Sequence, residues 1–245
     1  MRFPSALLVF CLWGGQAGAT PTDSVVSARY TEPTTRYDHG ILGDAIEWGA
    51  VGLVVDRCAR CAVGNIQTIT LRLPDSRVFE DVAPRLVDMD GDGTNEVVVV
   101  ETDIDRGARL AIYGGDGGLV AATPFIGQTH RWLAPIGAAD LDGDGQIEVA
   151  YIDRPHLART LRVWRFDESV LTEIAAIGGL TNHRIGEADI AGGIRECGQG
   201  PEMIVASADW RHVVAVRFQD GELVGREIGA HKNRASFADA LACRF

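Results

Sequence analysis

The chain has 245 residues, 46% of them hydrophobic and 23% charged, a balance that fits a globular protein and excludes a disordered one. Its 34 acidic and 23 basic side chains leave a formal net charge of −11, which argues against nucleic-acid binding and favours cations or a basic partner. The 29 glycines, with few long helix-forming runs, point to many tight turns and an all-β architecture.

Residues 1–19 read as a secretory signal. Arg2 gives the positive start, Ala6 to Trp13 (ALLVFCLW) gives a short apolar core, and Ala17-Gly18-Ala19 supplies the small residues for cleavage before Thr20. The apolar run is shorter than the roughly 20 residues a bilayer requires. The expectation is an exported chain, periplasmic or extracellular and not membrane-spanning. Cleavage removes Cys11 and leaves four cysteines, which can pair in three ways. Cys58 with Cys61 would close a tight loop, and Cys197 with Cys243 would tie the last repeat to the tail. The CxxC lies between strand-like runs, not at a helix start, so a structural role is expected over a redox one. No second CxxC or His pair lies at zinc-finger spacing.

After an N-terminal segment (20–36), residues 37–229 repeat themselves. RLVDMDGDGTNEVVVV (85–100) and GAADLDGDGQIEVAYI (137–152) place Asp88 and Asp140 52 residues apart. Behind them, β-rich runs flank Asp/Gly turns at 108–125, 159–177 and 211–229, as in β-hairpins, and Phe166 and Phe218 are again 52 apart. A worn copy at 186–206 keeps Asp189 and Glu202 but has lost the acidic core. A first copy lies upstream in 40–56, followed by a hairpin around Pro74-Asp75-Ser76. About four units of about 50 residues, each with about four strands, predict a small four-bladed or partial β-propeller. The tail, 230–245, has helical character in ASFADALA.

The two acidic blocks have the grammar of a hard-cation loop. Carboxylates at positions 1, 3 and 5 turn inward, glycine at position 6 permits the sharp turn, and the position-7 carbonyl points back to the ion. Position 12 is Val99 or Tyr151, so these are not EF-hands. The fourth acid sits at position 9, and a strand follows it. This pattern resembles the FG-GAP (VCBS-type) repeats, which build the propeller heads of integrin α chains and many secreted bacterial proteins. The resemblance implies two Ca²⁺ sites. One would use Asp88, Asp90, Asp92, the Thr94 carbonyl and Glu96; the other would use Asp140, Asp142, Asp144, the Gln146 carbonyl and Glu148. Glu replaces the usual Asp at the last position of both.

Basic residues recur just before the acidic blocks: Arg36 and His39, Arg85, His130-Arg131 and His183-Arg184. His130, Arg131, His183 and Arg184 are expected to converge on one ligand pocket, with Trp132 and Trp48 as stacking surfaces, suited to an anionic saccharide. No Gly-x-Ser-x-Gly elbow, HExxH helix or phosphate loop is present, and no catalytic residue is assigned. The sequence therefore reads first as an exported, calcium-stabilised binding module. The alternatives are a calcium-dependent polysaccharide lyase or other carbohydrate-active enzyme on a propeller scaffold, and a purely structural component that meets envelope proteins.

Overall fold

The structure is a computed structural model that describes residues 23–245; the expected signal and Cys11 lie outside the described residues. It is all-β with one short helix, and its strands form three antiparallel sheets. The first sheet contains β1 (Ser24–Thr34), β2 (Glu47–Asp56), β3 (Ile66–Arg72), β4 (Arg77–Phe79), β5 (Arg85–Val87), β6 (Glu96–Asp103), β7 (Gly107–Tyr113) and β8 (Leu119–Ala122). The second contains β9 (Leu133–Ala139), β10 (Glu148–Asp153), β11 (Thr160–Asp167) and β12 (Val170–Gly178). The third contains β13 (Leu180–Thr181), β14 (Gly193–Glu196), β15 (Pro201–Ser207), β16 (His212–Gln219) and β17 (Glu222–Ala230), and α1 (Arg234–Leu241) follows.

The expectation of four units meets a three-sheet grouping. The short β4 pairs with both β2 (Trp48 opposite Phe79) and β6, so strands assigned to the first two units share one curled sheet. The turn at Pro74–Ser76 joins β3 to β4, which do not pair with each other, so the hairpin expected there is absent. The cause is a split edge: β4 and β5 occupy successive stretches of the same flank of β6, and β13 and β14 do the same on β15. β1, from the expected N-terminal segment, pairs along the whole of β2.

β-branched and small apolar runs explain the layering. Val97–Val100, Val149–Ile152 and Met203–Ala206 are buried on both faces, as central strands of stacked sheets must be. One apolar cluster joins the β1–β2 limb of the curled sheet to β6 and β7 through Leu53, Phe79, Val97 and Val99. A second fills the space between β6–β7 and the second sheet, with Leu110, Leu133 and Phe166. A third joins the second and third sheets through Ile152, Leu161, Met203 and Phe218. Between β9 and β14 the sheets approach so closely that a Cβ on Gly137 would stand 3.1 Å from Ile194 Cδ1. The hairpins turn as their composition expects: Asp220-Gly221, both at positive φ, close β16 onto β17.

The outer face of the third sheet is covered by α1. Phe237 and Ala240 pack on Ile204, Ala206, Val213 and Ala215. Asn233 caps the helix by accepting the Ala235 N–H at 2.9 Å. The Cys197–Cys243 disulfide ties the end of the chain to β14's loop, and Cys58–Cys61 closes the loop after β2. Among the described residues no helix is long and apolar enough to cross a membrane. Phe237→Ala should lower unfolding free energy by about 3–5 kcal/mol, the usual cost of removing a buried phenyl ring, measured by urea denaturation.

Candidate functional site

The acidic loops sit at equivalent places, each joining a flanking strand to the buried central strand it pairs with, β5 to β6 and β9 to β10. In one, Gly91 and Gly93 take φ of 71° and 85°; in the other, Gly143 and Gly145 take 82° and 90°. These left-handed turns curl the backbone so that Gly93 N–H reaches Asp88 Oδ2 at 2.9 Å and Gly145 N–H reaches Asp140 Oδ2 at 3.0 Å. The closing glutamate locks each loop, since Glu96 Oε2 accepts Met89 N–H at 2.9 Å and Glu148 Oε2 accepts Leu141 N–H at 2.8 Å. As a result, ligand oxygens of Asp88, Asp90 and Glu96 lie within 4.8 Å of one another, and so do those of Asp140, Asp142 and Glu148. Either cluster can hold a metal ion, and the all-oxygen donor set is compatible with calcium. Asp92 and Asp144 stand slightly apart; their Oδ1 atoms accept the N–H groups of Thr94 and Gln146.

The first loop fits a cation on two further grounds. Asp88 Oδ1 is buried without a hydrogen-bond partner. Burial, aided by the charges of Asp90, Asp92 and Asp88, pushes the Glu96 carboxyl up to about 7. Arg60, from the disulfide loop, reaches the loop only at Asp92. The second loop differs. Arg165 of β11 enters it, with Nε 2.7 Å from Glu148 Oε1, Nη2 2.6 Å from Asp142 Oδ2 and Nη1 2.9 Å from Asp144 Oδ2. Sequence reasoning missed Arg165. The signal was present, because Arg165-Phe166 and Arg217-Phe218 share the 52-residue spacing noted for the phenylalanines.

The basic residues singled out in the sequence separate into different environments. His130 and Arg131, just before β9, line a cavity of about 330 Å³ together with His39, Arg154, His156 and Trp132. His183 is fully buried behind it, bonded to His156 across 3.2 Å and packed edge-on against Trp132. Arg184 points elsewhere and stands over the Trp210 ring at 4.2 Å. The reason is the split edge strand: the chain leaves β13 at Thr181 and forms a long loop before β14, so His183 turns inward and Arg184 outward. Arg36 binds the Arg77 carbonyl, Arg85 pairs with buried Asp81, and Trp48 stacks on Tyr30. None of these three is at the cavity.

The cavity is chemically mixed. His39 Nδ1 lies 2.6 Å from Oε1 of Glu80, a wholly buried carboxylate whose Oε2 accepts Thr102 Oγ1–H at 2.7 Å. Trp132 Nε1–H donates to the Glu80 carbonyl at 2.8 Å. His130 and Arg154 hold φ of 53° and 46°, left-handed conformations that side chains bigger than glycine adopt at a cost. Burial first, then His183, His39 and Arg159, pull the His156 imidazole down to about 4, so it is neutral at pH 7. Leu157 and Ile185 form an exposed apolar rim. Beside Glu80 lies Glu47, buried and pushed up to about 9 by desolvation and by the charges of Glu80 and Asp44.

Comparison with known proteins bears on the loops. Residues 88–151, which begin at the first acidic loop and run through the second into β10, match the FG-GAP-like repeat family. No curated protein matches the chain.

Glu47 gives a pH test. Its folded carboxyl binds a proton more tightly than the unfolded one, so its contribution is complete in acid and is lost as pH rises from the ordinary carboxylate range through about 9. Glu47→Gln should leave melting unchanged below about pH 4 and raise it increasingly towards pH 9. The expected gain is about 2–4 °C for each kcal/mol of relieved charge, followed by thermal denaturation across that range.

Proposed function

We propose that this FG-GAP-type repeat protein is an exported, calcium-binding β-propeller of about four units, acting as a binding module for an anionic ligand such as an acidic saccharide. The observation that carries the reading is the convergence of His39, His130, Arg131, Arg154 and His156 on one cavity above Trp132. Arg131 has no carboxylate partner among the described residues, since its Nη1 donates to the His130 carbonyl. It is the cation left to meet a ligand carboxylate, whereas Arg154 is held by Asp153 through Nε and Nη2 at 2.8 and 2.9 Å. The exposed Leu157 and Ile185 rim supplies the apolar surface on which a sugar ring packs, with the buried Trp132 as the cavity floor.

Calcium braces the loops in this reading. It binds the folded loop and hardly the unfolded chain, so it stabilises by mass action. With extracellular-type affinities of roughly 10⁻⁴ to 10⁻³ M, calcium at ten times Kd adds on the order of 1.4 kcal/mol per site. A melting curve in millimolar Ca²⁺ should therefore rise above that in EGTA, and Mg²⁺ should not reproduce the shift, because Mg²⁺ demands a rigid octahedron and keeps its waters. No shift would remove calcium from the proposal.

The pocket is tested by calorimetric titration with a short oligogalacturonate, using the neutral oligosaccharide as control. Arg131→Ala should weaken binding at least about tenfold, the scale of one charge-assisted contact, with melting unchanged. Equal affinity in the variant would dismiss the pocket. One arrangement favours the catalytic alternative: His39, oriented by buried Glu80, is placed as a base is placed in acid–base sites. The same mixtures should be scanned for the absorbance of an unsaturated product; its appearance, lost in His39→Ala, would replace the binding module with a lyase.

A further inference from the structure

At or next to the start of β6, β10 and β15 stands a glutamate whose charge needs a partner, and the three strands meet that need in three ways. The position across the hairpin decides which. Glu148 of β10 is opposite Arg165 of β11. One step beyond the Met203–Val216 pair, Glu202 of β15 faces Arg217 of β16, whose Nε lies 3.0 Å from Glu202 Oε1. One step beyond Val97–Tyr113, the residue facing Glu96 of β6 is Gly114, which has no side chain to offer.

The surroundings follow this series. Glu202, with no aspartates before it, is held by arginine alone: Arg195 binds Oε2 through Nε and Nη2 at 2.9 and 2.6 Å, and Arg226 adds a contact of 3.3 Å to Oε1. Glu96 has the aspartates and no facing arginine, and its loop retains the buried, unpartnered Asp88 Oδ1. The second loop has both. All three nitrogen positions of Arg165 are spent on Asp142, Asp144 and Glu148, three of the acids expected to hold the ion. Its Asp140 carboxylate is also satisfied at both oxygens, because Gly143 N–H reaches Oδ1 at 2.7 Å and Gly145 N–H reaches Oδ2.

We infer that Arg165 is a built-in competitor of the divalent cation, so the 88–96 loop is the strong calcium site and the 140–148 loop takes calcium only by displacing the guanidinium. An ion entering the first loop meets the unpartnered Asp88 Oδ1, and Arg60, the one guanidinium there among the described residues, pairs at 3.6 Å with Asp92 Oδ2 alone. An ion entering the second must break two charge-assisted hydrogen bonds, to Glu148 and Asp142, and an ion pair with Asp144, and leave a permanently charged side chain to find solvent. The two loops, alike in ligand spacing, therefore differ in affinity by at least about tenfold, one broken contact's worth.

The inference rests on calcium binding by these loops, and the test separates the two. Calcium binding is titrated calorimetrically to the wild-type chain, to Arg165→Gln and to Asp88→Asn, with terbium luminescence as a second readout. The wild type should bind one ion strongly, Asp88→Asn should lose that ion, and Arg165→Gln should bind two ions of similar affinity. Arg165→Gln should also melt lower than wild type in EGTA, because Glu148 loses its partner, and should recover in millimolar calcium. A merely structural arginine would give the same loss in EGTA with no recovery. Two equal sites in the wild type, or one strong site in Arg165→Gln, would overturn the inference while leaving calcium binding intact. Absence of binding in every protein would overturn both.

Discussion

A carboxylate at the entrance of a buried strand must be answered by positive charge, and much of this molecule is arranged around that requirement. Glu96, Glu148 and Glu202 each stand where a central strand, β6, β10 or β15, enters between two apolar clusters. Left unpaired there, a charge would cost several kcal/mol or be neutralised by a proton. The Met89 and Leu141 N–H groups satisfy part of the need, and the rest comes from outside the strand. Loop shape, glycine placement and cross-strand register all follow from how that counter-charge is delivered. The loops are thus part of the packing of the sheets, since each fixes the point at which a Val-rich run enters the core.

The local half of this arrangement was legible in the sequence. The Asp-x-Asp-x-Asp-Gly spacing is a property of one short segment, so the convergence of Asp88, Asp90 and Glu96 could be read directly, as could the Asp220-Gly221 turn and the helical tail. The nonlocal half was not. Arg165 acts on Glu148 only because the β10–β11 ladder sets them opposite each other, and register across a hairpin is weakly written in a single strand. The fusion of the first strands into one sheet depends on three residues of β4 bridging two neighbours, too short a run to carry a pattern of its own.

The cavity lined by His130 and Arg131 illustrates the same limit. Its walls come from the loop before β2, the approach to β9 and the turn between β10 and β11. Repeat spacing singled out His130 and Arg131, which line the cavity. It also equated His183 and Arg184 with them, on the assumption that the units are superimposable. The loop inserted between β13 and β14 breaks that equivalence and sends the two side chains in opposite directions. Arg154 and His156 carried no repeat signature, and it is the left-handed turn at Arg154 that brings them to the same opening.

The helix that closes the last sheet has a consequence for assembly. Layers of this kind stack through interchangeable apolar faces, and such a stack has no inherent stopping point. Phe237 and Ala240 occupy the face on which a further layer, or a second molecule, would otherwise settle. Asn233 and the Cys197–Cys243 bond hold the plug in place. A second copy could settle on that face only by displacing the helix, so the apolar surface of the third sheet is shielded without any repulsive charge being needed.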